Sequence, residues 1–253
     1  MIWFKEKVKQ FYIVTILIVL WQIGSYLNLW NKYIIPYPRD VLNVMFEMIR
    51  NGELIKNVSV SIIRVLIGFL ISFMLAFPLA VFLGIKKGAH KHLKLILEFL
   101  RHVPPLSLIP MLILWFGIGE ISKIIIIVLA SFFPIFLNVL NGITSCDKKL
   151  LEVGDCFGFN SREKFFKIIL PNATLDIFIG MKIGFGYSWR AIIGAELIAA
   201  SSGLGYMILD AQQLSRSDKV IVGILAIGIM GCLTDYLFIN KVKVKGGEEN
   251  SWS

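Results

Sequence analysis

Apolar residues run along this chain in long continuous stretches, separated by short polar segments that hold most of its lysine and arginine. The first stretch reads from about Phe11 to Leu29, behind Lys5, Lys7 and Lys9. A signal peptide has a similar basic start, but this run is long and no small-residue cleavage site follows it. It therefore reads as an uncleaved first span. Ile35-Pro36-Tyr37-Pro38 breaks any helix. Asp40 is placed to cap the next one, where Val41, Val44, Met45, Met48 and Ile49 recur at helical spacing and predict an amphipathic helix at the outer surface. A second span is expected from Ser61 to about Ile85, with Arg64 near its start and Pro78 as a kink. The basic segment 86–102 is followed by a third span from Val103-Pro104-Pro105 to Phe116-Gly117-Ile118-Gly119, its prolines (Pro104, Pro105, Pro110) bunched at one end. A fourth span is expected over about Ile121 to Ile143, containing Pro134, and a fifth over about Leu175 to Ala200. Ser201-Ser202-Gly203-Leu204-Gly205 interrupts the pattern before a sixth span, about Val220 to Phe238.

Composition sharpens this picture. The chain has 253 residues, 57% hydrophobic and 17% charged, with a mean hydropathy of +0.75. Charge is too scarce for a soluble domain of this length. At ~20 residues per span plus loops, an all-α polytopic membrane protein of about six spans is expected. The apolar runs are continuous rather than alternating, which argues against a β-barrel. The net charge of +9 does not point to nucleic acid, because the basic residues lie at the ends of the apolar runs. Sixteen of the 26 lysines and arginines fall on the proposed inside. Seven fall outside (Lys32, Arg39, Arg50, Lys56, Lys123, Arg216 and Lys219), and Arg64, Lys182 and Arg190 fall within spans. That bias predicts both termini in the cytoplasm. Cys146, Cys156 and Cys232 are scattered, and the three histidines form no metal pattern, so neither a disulfide framework nor a metal or cofactor site is indicated.

The longest polar interruption of the second half runs from Glu152 to Pro171. Asn160 is placed to cap a helix, and Glu163 sits three positions on, where its side chain reaches back to the cap. Phe165, Phe166 and Ile169 give a short apolar face, and Pro171 is expected to stop the helix. Gly158 permits a sharp turn. Two short helices with a glycine elbow, projecting between spans, offer a rigid knob to a soluble partner.

Glu152, Gly158, Phe165 and the closing Leu170-Pro171 resemble the EAA motif of ABC importer permeases, although Val153 and Gly154 replace its two alanines and Phe159 a usual small residue. Further stretches resemble the nitrate/sulfonate/taurine branch of that family. They are Pro36-Tyr37-Pro38, Ser61 to Phe69, Pro104 to Pro110 with Leu114 to Gly119, Ser188-Trp189-Arg190, Ala195-Glu196 and Ser202 to Gly205. The resemblance implies a type I ABC importer transmembrane domain over residues 57–240. Residues 1–56 would add an N-terminal span and the outer helix, and residues 241–253 a polar cytoplasmic tail. It implies a homodimer of permease subunits, cytoplasmic ABC ATPase subunits and an extracytoplasmic solute-binding protein. In that family the loop at 152–171 is the coupling helix that docks on the ATPase. Glu152, Gly158, Asn160, Ser161, Arg162, Phe165, Phe166 and Pro171 are its candidate residues here. A β-carbon at Gly158 is expected to clash with the elbow or displace the knob, and the two phenylalanines either dock or rest at the bilayer interface.

Glu196 and Arg190 are the pathway candidates. Glu196 lies deep in the fifth span, where an acid needs a partner or water. Arg190, six residues earlier, points to a different helix face at ~100° per residue, so each needs a partner elsewhere. Glu196 is either a structural anchor or a pathway-lining group. Arg190 either attracts an anion or serves a structural role. Lys182 is expected to snorkel. Gly180, Gly184, Gly186 and Gly194 recur at near-helical spacing and predict close helix packing. The chain carries no nucleotide motif, so the ATPase would be a separate subunit and this chain not an enzyme. A stand-alone secondary transporter is the alternative, but it would show internal repeats and several intramembrane acids, whereas Glu196 is the main deep acid and Asp235 lies near a span end. No residue set fits an intramembrane hydrolase, and nothing in the spans selects one solute.

Overall fold

The computed structural model describes residues 2–243, with side chains at 12–86, 93 and 95–236. The described chain is helical: α1 (Ile2–Tyr26), α2 (Pro38–Arg50), α3 (Glu53–Ile85), α4 (Lys87–His102), α5 (Ile109–Phe116), α6 (Glu120–Thr144), α7 (Lys148–Cys156), α8 (Ser161–Lys164), α9 (Leu170–Ala199), α10 (Leu204–Gln213) and α11 (Ser217–Lys243). A 3-10 turn, Pro105–Leu108, precedes α5, and a π-helical turn, Phe165–Ile169, joins α8 to α9.

Among the described residues four helices are long and apolar enough to cross a membrane, and five if one bent pair counts as a span. The third span, expected from Val103 to Gly119, matches only the second arm of that pair, Pro105–Phe116; Leu95–His102 forms the first, and the two arms meet in an 82° bend. Its cause is local. Val103 precedes Pro104 and is driven to an extended backbone (ψ 116°), because a following proline ring disfavours the helical well. The segment expected as a basic loop, 86–102, is itself mostly helix α4. The described apolar part of the first span, Tyr12–Tyr26, is shorter than a full crossing. Lys5, Lys7 and Lys9 lie outside the described side chains, and the tail after residue 243 lies outside the described residues.

One compact unit comprises residues up to Val60 together with Ser201–Gly228. In it α2 buries Val41, Val44 and Met48, while Ile49 of the expected face is exposed. Asp40 does not cap this helix. Tyr37 occupies the cap, and Pro38, whose fixed φ suits a first helical position, begins α2. Asp40 falls instead in the first turn, where its charge complements the helix dipole. Asn57 Oδ1 accepts from the Gly203 N–H at 2.9 Å, the Lys219 ammonium donates to Glu53 Oε2 at 2.8 Å, and Ser217 Oγ donates to the Tyr33 carbonyl at 2.6 Å.

The other unit comprises Ser61–Ala200 and residues from Ile229 on. Its core packs Phe69, Ala76, Ala80 and Leu83 of α3 with Ile135, Phe136, Val139 and Leu140 of α6 and Ala173 of α9. Small residues set the spacing. A β-carbon on Gly184 would come within 2.6 Å of Ile135, one on Gly180 within 2.8 Å of Asn138, and one on Gly68 within 2.6 Å of Ile127. Backbones therefore approach closely where lipid supplies no hydrophobic drive. Gly194 meets Leu106 in the same way, whereas Gly186 faces open space and takes no part in the expected row.

Candidate functional site

The knob is built by two capping devices. Helix α7 starts at Asp147, whose carboxylate accepts from the Lys149 N–H at 2.9 Å. It ends in two crossed bonds: the Phe159 N–H donates to the Gly154 carbonyl and the Gly158 N–H to the Asp155 carbonyl, both at 2.9 Å. Gly158 closes that motif at φ +70°, the left-handed well that glycine enters without penalty. The expected clash is absent, since a β-carbon at Gly158 would meet nothing within 4 Å. Backbone conformation, not space, selects glycine there. The crowded position is Gly154, where a β-carbon would come within 2.7 Å of Ile168 Cδ1.

The capping box forms as the spacing predicts. Asn160 Oδ1 accepts from the Glu163 N–H at 2.9 Å, and Glu163 Oε2 accepts from the Asn160 N–H at 3.0 Å. Lys164 pairs with Asp155 and so ties α8 to α7. The Lys167 ammonium reaches Glu163 at 3.0 Å and lies 4.4 Å from the Phe159 ring centroid.

Pro171 does not stop the helix. Ser161–Ala199 runs through it as one helix of 39 residues. The Leu170 N–H reaches back five residues to the Phe165 carbonyl. The wider turn just before Pro171 accommodates a residue that lacks an N–H and crowds the preceding turn. The knob is thus continuous with α9 rather than hinged to it.

Of the predicted residues, Glu152, Gly158, Asn160, Ser161 and Arg162 lie exposed on the knob, Phe166 is 57% exposed, and Phe165 is half-buried against it. Sequence reasoning missed the apolar part of this surface. Leu150, Val153, Phe157, Phe159, Lys167 and Ile168 line a groove of about 470 Å³. Phe157 at its edge is 74% exposed. The signal was present, since Leu150, Val153 and Phe157 recur at helical spacing.

The pathway candidates separate. Arg190 is exposed, its guanidinium 5.9 Å from the Tyr187 ring centroid. Glu196 is fully buried and paired. Arg64 Nη1 donates to Glu196 Oε1 at 2.8 Å, and Ser61 Oγ lies 2.9 Å from both carboxylate oxygens. Arg64 also grips Glu120 side-on, through Nε to Oε2 and Nη2 to Oε1, each at 2.6 Å. The Lys123 ammonium donates to the same Glu120 Oε1 at 2.7 Å. Lys123, counted from the sequence among the cations outside the membrane, is 3% exposed. Ser61 and Arg64 share one face of α3, and Glu120 and Lys123 one face of α6, each by an i, i+3 step.

Residues 68–238 match the family described as the binding-protein-dependent transport system inner membrane component. Among curated proteins, the chain is 37% identical over 220 residues to the Bacillus subtilis protein carried under the name aliphatic sulfonates transport permease protein SsuC (87% of this chain, 80% of that one). It is 30% identical to the taurine transport system permease protein TauC of Escherichia coli (87% and 82%) and 30% identical to the nitrate import permease protein NrtB of Synechocystis (88% and 83%). A solved chain of the inward-facing MetNI methionine ABC transporter shares the fold, with a TM-score of 0.64 over 74% of this chain and 93% of that one at 15% identity. The fold is that of a type I ABC transporter membrane domain. The chain belongs to the family of binding-protein-dependent transport system inner membrane components.

Proposed function

We propose that this chain is the permease subunit of an ATP-driven importer, forming the membrane path for a small solute of the sulfonate, taurine or nitrate kind, or a pyrimidine precursor. ATP hydrolysis resides on a separate cytoplasmic ATPase that docks on residues 152–171. An extracytoplasmic binding protein delivers the solute, and two copies of this chain pair in the cell membrane with both termini inside. The observation that carries the reading is the knob: two capped helices with an exposed apolar groove, continuous through Ser161–Ala199 with a span. A rigid lever of this form transmits motion from a soluble partner into the spans. The names of the relatives support the solute class.

A photoreactive phenylalanine analogue at Phe157, introduced in the native membrane, tests the reading. A matching probe at Ile118, 76% exposed beyond the other end of α6, serves as control. The 25 residues of α6 put about 37 Å between those ends. Phe157 should capture a P-loop ATPase and Ile118 should not. Capture at Ile118 instead would invert the topology, and capture at neither would remove the docking role.

A further inference from the structure

The cluster around Arg64 has more in it than a structural clasp requires. Two cationic side chains are almost entirely buried, Arg64 at 6% and Lys123 at 4%, yet the carboxylate they share is 57% exposed. Glu196 is fixed in place, with no exposure and with Ser61 and Arg64 donating to it. Glu120 is held only at its tip. It is the first residue of α6 and follows Gly117-Ile118-Gly119. A β-carbon on either of those glycines would meet nothing within 4 Å, so the turn that leads into the acid is uncrowded, and the Glu120 side chain itself is more than half exposed. With Glu120 turned away, the guanidinium, the ammonium and the Glu196 carboxylate leave one net positive charge. That charge is presented through a side-on guanidinium edge whose two N–H groups donate to a planar pair of oxygens. Nitrate has that O–N–O edge, and a sulfonate offers two of its oxygens in the same way. The cluster also lies at the end of α6 opposite the knob, the end where an imported solute would arrive.

We infer that Arg64 and Lys123 form a binding site for a small oxyanion headgroup, and that Glu120 is its resident counter-charge, displaced when the anion enters. The inference rests on the importer reading for its solute class, and its test is chosen to stand apart from that reading.

The purified full chain in detergent is titrated with sodium nitrate and, separately, sodium methanesulfonate against sodium chloride at constant ionic strength, and thermal unfolding is followed. Wild type should show a saturable upward shift with an oxyanion beyond that with chloride. Glu120→Gln, which removes the competing charge, should show the same shift at a midpoint about tenfold lower or more, because the receptive state is no longer a minor one. Glu120→Gln combined with Lys123→Met should lose the shift. If Glu120→Gln fails to fold, wild type against Lys123→Met alone carries the comparison. Neither anion exceeding chloride in wild type and Glu120→Gln would overturn the site, as would a shift that survives Lys123→Met. Binding without any ATPase partner would leave the site standing and the importer reading fallen. An ATPase partner without saturable binding would do the reverse.

Discussion

Replacing Arg64 by methionine should be among the most damaging single changes in the membrane core. The substitution keeps most of the apolar stem of the side chain and removes the guanidinium with its charge and donors. It takes the guanidinium from Glu196, whose carboxylate is fully buried at 2.8 Å from Arg64 Nη1. It also strips the side-on pair from Glu120. Breaking a buried ion pair by removing one partner costs about 3–5 kcal/mol, because the remaining charge stays desolvated. At about 2–4 °C per kcal/mol for a chain of this size, the unfolding midpoint should fall by roughly 6–20 °C. Glu196→Gln should cost less, since the amide oxygen still accepts from Ser61 and Arg64 keeps Glu120. The Arg64→Met/Glu196→Gln double variant should lose less than the sum of the two, with a coupling of about 1–3 kcal/mol. Thermal unfolding of the purified chain in one detergent, followed by tryptophan fluorescence, reads all four corners of the cycle. Single losses within about 0.5 kcal/mol, the range of ordinary surface changes, or strictly additive effects would show that the pair is not holding α3 against α9.

Other outcomes follow from local geometry. Gly184→Val puts a branched side chain where a β-carbon alone would lie 2.6 Å from Ile135; it should cost about 1–3 kcal/mol by overpacking, whereas Gly186→Val, in open space, should be nearly neutral in the same unfolding assay. Asn160→Ala removes the cap accepting from the Glu163 N–H and should weaken the start of α8 by about 0.5–2 kcal/mol, read as faster amide exchange over residues 161–164 with the spans unchanged; uniform exchange across α9 would mean the cap carries no local stability. Cys156 is exposed, while Cys146 is half-buried and its thiol is held above its ordinary value, first by burial and then by the Asp147 charge. Since the thiolate is the reactive form, maleimide at neutral pH should modify Cys156 well before Cys146, and the gap should narrow as pH rises; equal rates at neutral pH, measured by peptide mass, would contradict that environment.

The knob was largely legible because its determinants are local. A capping residue, an acid three positions on and a glycine at the elbow act within a few residues of one another, and the structure pairs Asn160 with Glu163 as the spacing demands. The face of α2 was readable for the same reason, apart from Ile49. Pro171 misled because its effect depends on the turn before it, and a π-helical turn has no clear sequence mark. The bend at Val103-Pro104 was signalled by the paired prolines, but not whether one span would continue through them. The cluster of Arg64, Glu120, Lys123 and Glu196 was hidden in another way. Glu196 stands out in the sequence as a deep acid in need of a partner, but Arg64, Glu120 and Lys123 are charges near the ends of apolar runs, and only the packing of three helices distant in sequence brings the four together.

The coupling role of residues 152–171 is tested most directly by purifying the tagged chain from its native membrane in mild detergent beside Gly158→Val. Gly158 sits at φ +70° with open space around it, so a β-branched residue there disturbs the elbow through backbone strain of about 1–3 kcal/mol rather than through the spans. A P-loop ATPase that accompanies wild type and is lost or sharply reduced with Gly158→Val, while amide exchange across the spans stays the same in both forms, is the predicted result. No ATPase with either form across several mild detergents, together with ion-gradient-driven uptake by this chain alone in liposomes, would contradict the account.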